Sequence, residues 1–501
     1  MTANTVTLSA RAANLSAGGR TRVHRRRGPS QRPRCIIAVT REYGEVQPGI
    51  PWGPFTLRIP FYHFGFEWSE AVQGFLVAGA TGLSLIPILE GQFGVGFGVA
   101  LCVVIVQSIL IANAPTAFGD PYCHGWITPA IPLVLAAIAA TYTALGGTMS
   151  ESDATLYVIR MITALTLTCS AIFLIGGITG LGRLIVEGVP VPLKAGIIFG
   201  AAVSSFMHEL DPEISYLYRA PITCVSAVGI CLVLMFSQPV AHFRNRFRIV
   251  GLLAGLGLIP GFVMAMVVGK LTGELQWGTI EWGWEQPQFG AMWDQLSPFA
   301  IGFPTTQMFM EMIPLAVVVY IIGFGDMVTG NELLREADEL RPDEKIDINP
   351  TRLHLNCGIR NGLQALVAGP FPVSHGPLWT GVHVVVTERY KQGRAGMDSI
   401  YGGISAYYFW GIPLLLFLKP ITGLLYPTLP VALSLTILLT GFACGYLAMV
   451  LPRNNVERGV AMTTGMILAL FGAWQALAIG LVMTVVMCGW PFARDPMTDV
   501  P

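Results

Sequence analysis

Pro121-Tyr122-Cys123-His124-Gly125-Trp126-Ile127-Thr128 and Pro372-Val373-Ser374-His375-Gly376-Pro377-Leu378-Trp379-Thr380 are near-copies of one stretch. Their leading prolines stand half a chain apart (372 − 121 = 251). Each lies between apolar runs and breaks them with Pro and Gly, residues that interrupt regular helix. In a membrane protein, interruptions at matching places of two halves point to discontinuous helices around a binding site.

Composition sets that membrane context. Of 501 residues, 53% are hydrophobic and 12% charged, and mean hydropathy is +0.60. Soluble domains carry about 25% charged residues. Apolar runs of about 20 residues recur, each long enough to cross a bilayer core. Formal net charge is zero, which suggests no nucleic-acid partner. The nine cysteines include no CxxC pair, so neither a metal site nor a disulfide framework is expected. Residues 1–50 differ, with Arg20, Arg22, Arg25, Arg26, Arg27, Arg32 and Arg34 among Gly, Ser and Pro. No apolar core of signal-peptide type follows, so residues 1–60 read as a disordered basic tail. That composition also fits translated sequence upstream of the true start.

Fourteen apolar stretches follow, at roughly 70–89, 93–112, 122–143, 154–178, 192–208, 221–238, 248–269, 307–328, 355–371, 375–388, 400–417, 428–449, 457–473 and 475–490. Lys and Arg gather in cytoplasmic loops. Loops after even-numbered stretches hold Arg183, Arg244, Arg246, Arg248, Arg335, Arg341, Lys345, Arg352, Lys391, Arg394 and Arg453, while the odd-numbered ones hold only Arg219, Lys270 and Lys419 beside acids such as Glu151, Asp153, Glu209 and Asp211. Both termini therefore fall in the cytoplasm, of a cell inner membrane. Residues 271–306, with Trp277, Trp282, Trp284 and Trp293, form an extracytoplasmic loop that reads as an interfacial belt or as a lid. Residues 331–353 read as a solvated, structurally uncommitted linker, and 491–501 as a C-terminal tail.

An odd number of spans per half makes the second half enter from the opposite side. The fold class expected is thus an all-α polytopic membrane protein, a 7+7 inverted repeat over residues 65–270 and 307–490. Stretches three and ten are each a short strand plus a half-helix, meeting near mid-membrane. Backbone outside a helix cannot face lipid, so it must line a protein-enclosed or wet cavity. The helices starting near Ile127 and Leu378 turn free N–H groups and positive dipole ends toward it.

At these residues the chain resembles the uracil/xanthine permeases (nucleobase–ascorbate transporters) and the related SulP anion transporters, as a divergent member. Gln73 to Thr81 with Ile86-Pro87-Ile88-Leu89 is similar to their first helix. Gly119-Asp120 and Pro129-Ala130-Ile131 resemble the third segment, and Val189-Pro190-Val191-Pro192 the entry to the fifth. Ile313-Pro314 through Gly325-Asp326 and Thr329-Gly330-Asn331 resemble the eighth helix, and Asn356 to Asn361 with Gly369-Pro370 the ninth. The resemblance implies a core domain (segments 1–4 and 8–11) carrying the site. It also implies a gate domain (5–7 and 12–14) through which a homodimer forms. The nucleobase-reading glutamates of that family are replaced by Ile322 and by Pro377 or Leu378, and no cytoplasmic STAS domain of the kind usual in SulP proteins is expected after the last stretch.

The substrate-binding candidates are Gln73, His124, Gly125, Thr128, Asp326, His375, Gly376, Trp379 and Thr380. A carboxylate inside an apolar helix is expensive and usually functional, so Asp326 is the expected coupling residue for H⁺ or Na⁺. His124 and His375 suit an oxyanion or a transferable proton. Thr128 and Thr380 either donate hydroxyls or cap their helices; Trp126 and Trp379 either stack on a planar solute or pack. Arg360 either serves the site or pairs with a carboxylate such as Asp326. The expected function is a secondary active transporter moving a small anion or nucleobase-like solute by elevator-type alternating access. A SulP-like exchanger or uncoupled channel is the alternative. No HExxH pair or nucleophile elbow supports an intramembrane enzyme, and no cofactor is implied.

Overall fold

The computed structural model describes residues 41–180, 189–212, 215–244, 247, 250, 253, 258–370, 374–409 and 417–489. The principal helices are α1 (Trp68–Leu83), α2 (Ile86–Phe93), α3 (Phe97–Asn113), α4 (Ile131–Leu145), α5 (Glu151–Thr179), α6 (Val191–Leu210), α7 (Pro221–Phe236) and α8 (Ile259–Thr272). The second half holds α9 (Thr306–Leu340), α10 (Pro350–Val367), α11 (Thr380–Lys391), α12 (Ile400–Phe409), α13 (Leu429–Val450), α14 (Asn455–Phe471) and α15 (Ala473–Met483). Among the described residues there are also four short strands: β1 (Ile50–Trp52), β2 (Phe55–Leu57), β3 (Gly125–Trp126) and β4 (His375–Gly376). Six of the described helical stretches are long and apolar enough to cross a membrane, so the chain is a multi-pass membrane protein. The other expected stretches carry shorter helices or, at the 18-residue α10, a more polar one, and fourteen crossings remain an expectation.

Local signals explain where the long helices begin and end. The Ser150 side chain accepts from the Asp153 N–H at 3.2 Å, and α5 stops at Gly180 with φ 70°. Thr305 caps α9 through the Met308 N–H at 3.3 Å. Asn349 caps α10 through the Arg352 N–H at 3.0 Å, with Pro350 in the first turn. These are side-chain acceptors satisfying first-turn N–H groups.

Two packing groups emerge. Helix α5 packs on α9 and α10, while α6 packs on α13 and α14, and α7 on α8. The α6–α14 seam is built on small residues. Gly196 and Gly200 lie against Thr464 and Leu468, and a Cβ on Gly465 would come within 2.8 Å of the Gly196 carbonyl. Close backbone approach of this kind holds helices together where lipid supplies no hydrophobic drive.

Two expectations are corrected at the chain's charged segments. Residues 41–60, expected in the disordered tail, are folded: β1 and β2 pair antiparallel, and Arg41, Gln47 and Arg58 are buried. Residues 1–40 and 490–501 lie outside the described residues. The 331–353 linker is also committed. Helix α9 runs on to Leu340, and Arg341 is buried, donating to the carbonyls of Tyr390 (2.7 Å) and Met397 (3.1 Å) and to both Asp343 oxygens (2.5 and 2.9 Å). Arg41 reaches Asp343 at 3.1 Å and the Asp398 carbonyl at 2.6 Å. A guanidinium can be buried only when its N–H groups find such partners. Residues 271–306 are tied down as well. The Trp277 indole donates to the Leu424 carbonyl at 2.8 Å, and Glu285 N–H donates to the Phe417 carbonyl at 2.7 Å.

Candidate functional site at the crossing strands

The two broken stretches meet. Strand β3 pairs antiparallel with β4, with Gly125 opposite Gly376 and Trp126 opposite His375. Antiparallel pairing of equivalent residues is what a twofold axis between the halves requires. Two further bonds extend the pairing: Trp379 N–H donates to the Cys123 carbonyl at 2.6 Å, and Ile127 N–H to the Ser374 carbonyl at 3.1 Å. The glycines are fixed by reciprocal contact. A Cβ on Gly125 would stand 2.7 Å from Trp379 Cβ, and one on Gly376 would stand 2.9 Å from Ile127 Cγ1.

Broken backbone in a membrane must find every partner within the protein. Here side chains supply them. Cys123 N–H donates to His383 Nδ1 at 3.2 Å, and the Tyr408 hydroxyl donates to the His124 carbonyl at 2.5 Å. The Asn361 amide acts as a surrogate strand: its Oδ1 accepts from His375 N–H at 2.7 Å and its Nδ2 donates to the His375 carbonyl at 2.9 Å. Helix α10 is the source of Asn361 and of most other polar groups here. Arg352, Asn356, Arg360 and Gln364 recur every fourth residue and are all buried, a spacing that puts them on one helix face.

That stripe meets the first half at Asp120 and His124. Arg352 Nε donates to Asp120 Oδ1 at 2.7 Å and its Nη1 to Asp347 at 2.6 Å. Asn356 Nδ2 donates to Asp120 Oδ2 at 2.6 Å. Arg360 Nε donates to Asn356 Oδ1 at 2.9 Å, and its Nη2 donates to His124 Nδ1 at 2.7 Å and to the Gly376 carbonyl at 3.0 Å. Because a guanidinium only donates, His124 Nδ1 carries a lone pair. Its proton then sits on Nε2, which lies 3.6 Å from Asp120 Oδ2 and 3.3 Å from Asn356 Nδ2. The tautomer is set by its neighbours, as is usual for a histidine held between two partners.

Charge in the cluster is uneven. Arg352 is balanced by Asp120 and Asp347. Arg360, fully buried, has no carboxylate within 4.0 Å among the described residues, and its Nη1 has no hydrogen-bond partner there. One turn on, Gln364 is buried with neither amide atom engaged. An uncompensated cation away from water is expensive, so the arrangement favours a negative group beside it. Helix α11 starts without a side-chain cap, whereas at α4 the Ile131 N–H is already bonded to the Thr128 carbonyl and Pro132 has none to give.

The sequence candidates fall out as follows. His124, Gly125, His375, Gly376 and Trp379 are brought together at the crossing. Trp379 packs edge-on to Tyr407, with centroids 6.4 Å apart. Thr128 and Thr380 begin their helical turns without capping them, and Thr380 is exposed. Gln73 is half-buried on α1, which packs against α12. Asp326 is half-buried on α9. It lies three residues after Gly323, which faces Ile127, and four before Gly330, which faces Leu378 and Tyr122, so it shares the helix face turned to the crossing. Asp326 does not pair with Arg360, which is held by His124 and Asn356 instead. Asp120, Arg352, Asn356, Asn361, Gln364 and His383 were not among the expected site residues. The four-residue polar spacing on α10 was the available signal.

No protein-family model matches the chain, and no curated protein matches it. Solved structures do. The transmembrane domain of a cyanobacterium bicarbonate transporter, BicA, aligns with TM-score 0.51 at 13% identity, over 83% of this chain and 97% of that one. The overall structure of SLC26A9 aligns with TM-score 0.49 at 13% identity, covering 84% of this chain and 65% of that one. The murine Slc26a9 anion transporter in its inward-facing state gives 0.48 at 12%, over 84% and 67%. The chain therefore has the fold of the BicA transmembrane domain.

Proposed function

We propose that the protein is a secondary transporter of small anions, binding its solute at the crossing of β3 and β4. One observation carries the reading: Arg360 is a fully buried guanidinium that, among the described residues, has an unengaged Nη1 and no carboxylate beside it. The nucleobase-reading glutamates of the permeases the sequence resembles are replaced here by Ile322 and by Pro377 or Leu378, which weighs against a nucleobase. The fold shared with a bicarbonate transporter's transmembrane domain supports the anion reading.

In this reading α1–α5 and α9–α12 form the moving core, and α6–α8 with α13–α15 the stationary gate and homodimer contact. The core carries the solute across by an elevator displacement, coupled to a cation gradient. Asp326, on the face of α9 turned to the crossing, lines the solute path. The protein sits in a cell inner membrane with both termini in the cytoplasm.

Uptake into proteoliposomes tests the reading with sulfate, bicarbonate, dicarboxylates, uracil and xanthine offered in parallel. Saturable uptake of one or more anions is expected. Uptake of uracil or xanthine alone, current without coupled flux, or chemical turnover of a solute without net movement would each reject it.

A further inference from the structure

The anion reading leaves open what moves with the anion, and the crossing geometry speaks to this. A guanidinium recognises an oxyanion best as a fork, through two parallel N–H groups on different nitrogens. Arg360 Nη1 is unengaged among the described residues, but the Nη2 hydrogens are committed, to His124 Nδ1 at 2.7 Å, the Gly376 carbonyl at 3.0 Å and Cys357 Sγ at 3.4 Å. Arg360 therefore cannot present its fork while His124 holds it. Binding in the bidentate mode draws the guanidinium off the imidazole and leaves a bare Nδ1 lone pair.

We propose that His124 takes up the coupled proton, accepting it on Nδ1 as the anion draws Arg360 away. This rests on the anion reading above. The exchange balances. The Arg360 N–H···Nδ1 hydrogen bond is broken, a proton from the aqueous side forms an Nδ1–H bond, and the new imidazolium charge is matched by the charge of the anion. A monovalent anion and one proton leave the site's net charge unchanged. His124 does not touch the anion; it is a positioning residue that links proton occupancy to the state of Arg360.

The neighbours of His124 fit this role. Asp120, on the segment before β3, lies 3.6 Å from Nε2 and stabilises the cationic ring. Asn356 on α10 holds Asp120 at 2.6 Å and keeps it in place. Arg352 on α10 also binds Asp120 but is balanced by Asp347 at 2.6 Å. Arg360, on the same helix, is the one group that leaves. His375 on β4 and His383 on α11 add no acid partner, and the Tyr408 hydroxyl on α12 contacts only the His124 carbonyl. The Tyr122 ring stands 6.2 Å away, edge-on. With Arg360 in place, a second cation on Nδ1 would face a guanidinium at hydrogen-bond distance. Proton and unliganded Arg360 thus exclude one another, and anion and proton favour one another. Such coupling is reciprocal: each strengthens the other's binding by the same factor.

Titration calorimetry of the purified protein with sulfate, nitrate and fumarate, repeated in buffers of different ionisation heat, counts the protons taken up per anion bound. Wild type is expected to take up about one proton between about pH 5.5 and 8, with affinity rising up to about tenfold per unit fall in pH. His124→Asn, whose amide oxygen replaces the Nδ1 acceptor for Arg360, is expected to bind anion with no proton uptake and a flat pH profile. Asp326→Asn is expected to keep the proton count. Anion binding by wild type without proton uptake, or proton uptake that survives in His124→Asn, would overturn the proposal while leaving the anion reading standing. Should His124→Asn not fold, His124→Gln is read in its place, with the same two outcomes. Failure of all three anions to bind would overturn the anion reading and this proposal with it.

Discussion

Arg360 on α10 and His124 before β3 stand 236 residues apart in sequence and 2.7 Å apart in space, joined by a bond from Nη2 to Nδ1. This contact links the two halves at the point where both are broken. It binds the cation of the site to the group best placed to hold a proton.

Shortening Arg360 is expected to weaken anion binding sharply. Arg360→Lys keeps the charge but loses the planar fork. Hydrogen bonds to charged groups contribute about 1.5–3 kcal/mol, so a loss of roughly ten- to a hundredfold in affinity is expected, and a larger one for Arg360→Gln. Calorimetric Kd values for the bound anion check this; affinities within about twofold of wild type would remove Arg360 from the site.

Adding a methyl group at the crossing is expected to destabilise the fold. In Gly125→Ala and Gly376→Ala the new Cβ meets Trp379 Cβ at 2.7 Å and Ile127 Cγ1 at 2.9 Å. Overpacking of this kind costs about 1–3 kcal/mol. Both variants should unfold at lower temperature in detergent, whereas Gly423→Ala, with open space around it, should not move.

Asp326→Asn separates two carriers of coupling. With the proton on His124, the variant should alter the rate of uptake and leave the proton-to-anion ratio unchanged. Paired pH and tracer flux recordings on proteoliposomes measure that ratio. A ratio that drops to zero in Asp326→Asn, and persists in His124→Asn, would return coupling to α9.

The Arg41–Asp343–Arg341 cluster should carry its own pH dependence. Burial raises the Asp343 carboxyl, but Arg341 and then Arg41, bonded to it, outweigh burial and hold it at about 2. A depressed carboxylate contributes stability above its unfolded value, near 3.9, and that contribution fades as pH falls toward 2. Asp343→Asn should therefore melt below wild type at neutral pH, with the gap closing between about pH 4 and 2. A gap that is the same at both ends of this range would argue against the cluster.

Much of this architecture is legible in the sequence, and the misses have physical causes. The His-Gly pair stood out because broken backbone needs glycine and proline, and its duplication pointed to the two stretches that pair as β3 and β4. The loop cations were read by position alone. Arg341 and Arg352 were therefore placed in a solvated linker, although both are buried. Burial of an arginine depends on partners such as Asp120, 232 residues away from Arg352, which no local pattern reveals. The α10 stripe was missed for a different reason. Hydropathy averaging placed an apolar stretch over 355–371, whereas the helix starts at Pro350 and turns Arg352, Asn356, Arg360 and Gln364 inward. Asn361 escaped because its task is to satisfy the backbone of a strand that exists only once the halves have met.

The central claim is that Arg360 receives a small anion at the crossing. Tracer uptake of sulfate and bicarbonate into proteoliposomes, wild type against Arg360→Gln at matched protein content, tests it most directly. The account expects saturable uptake by wild type and loss of it in the variant, with the variant still folded by its melting curve. Equal uptake by both proteins, or transport of uracil or xanthine in place of any anion, would contradict it.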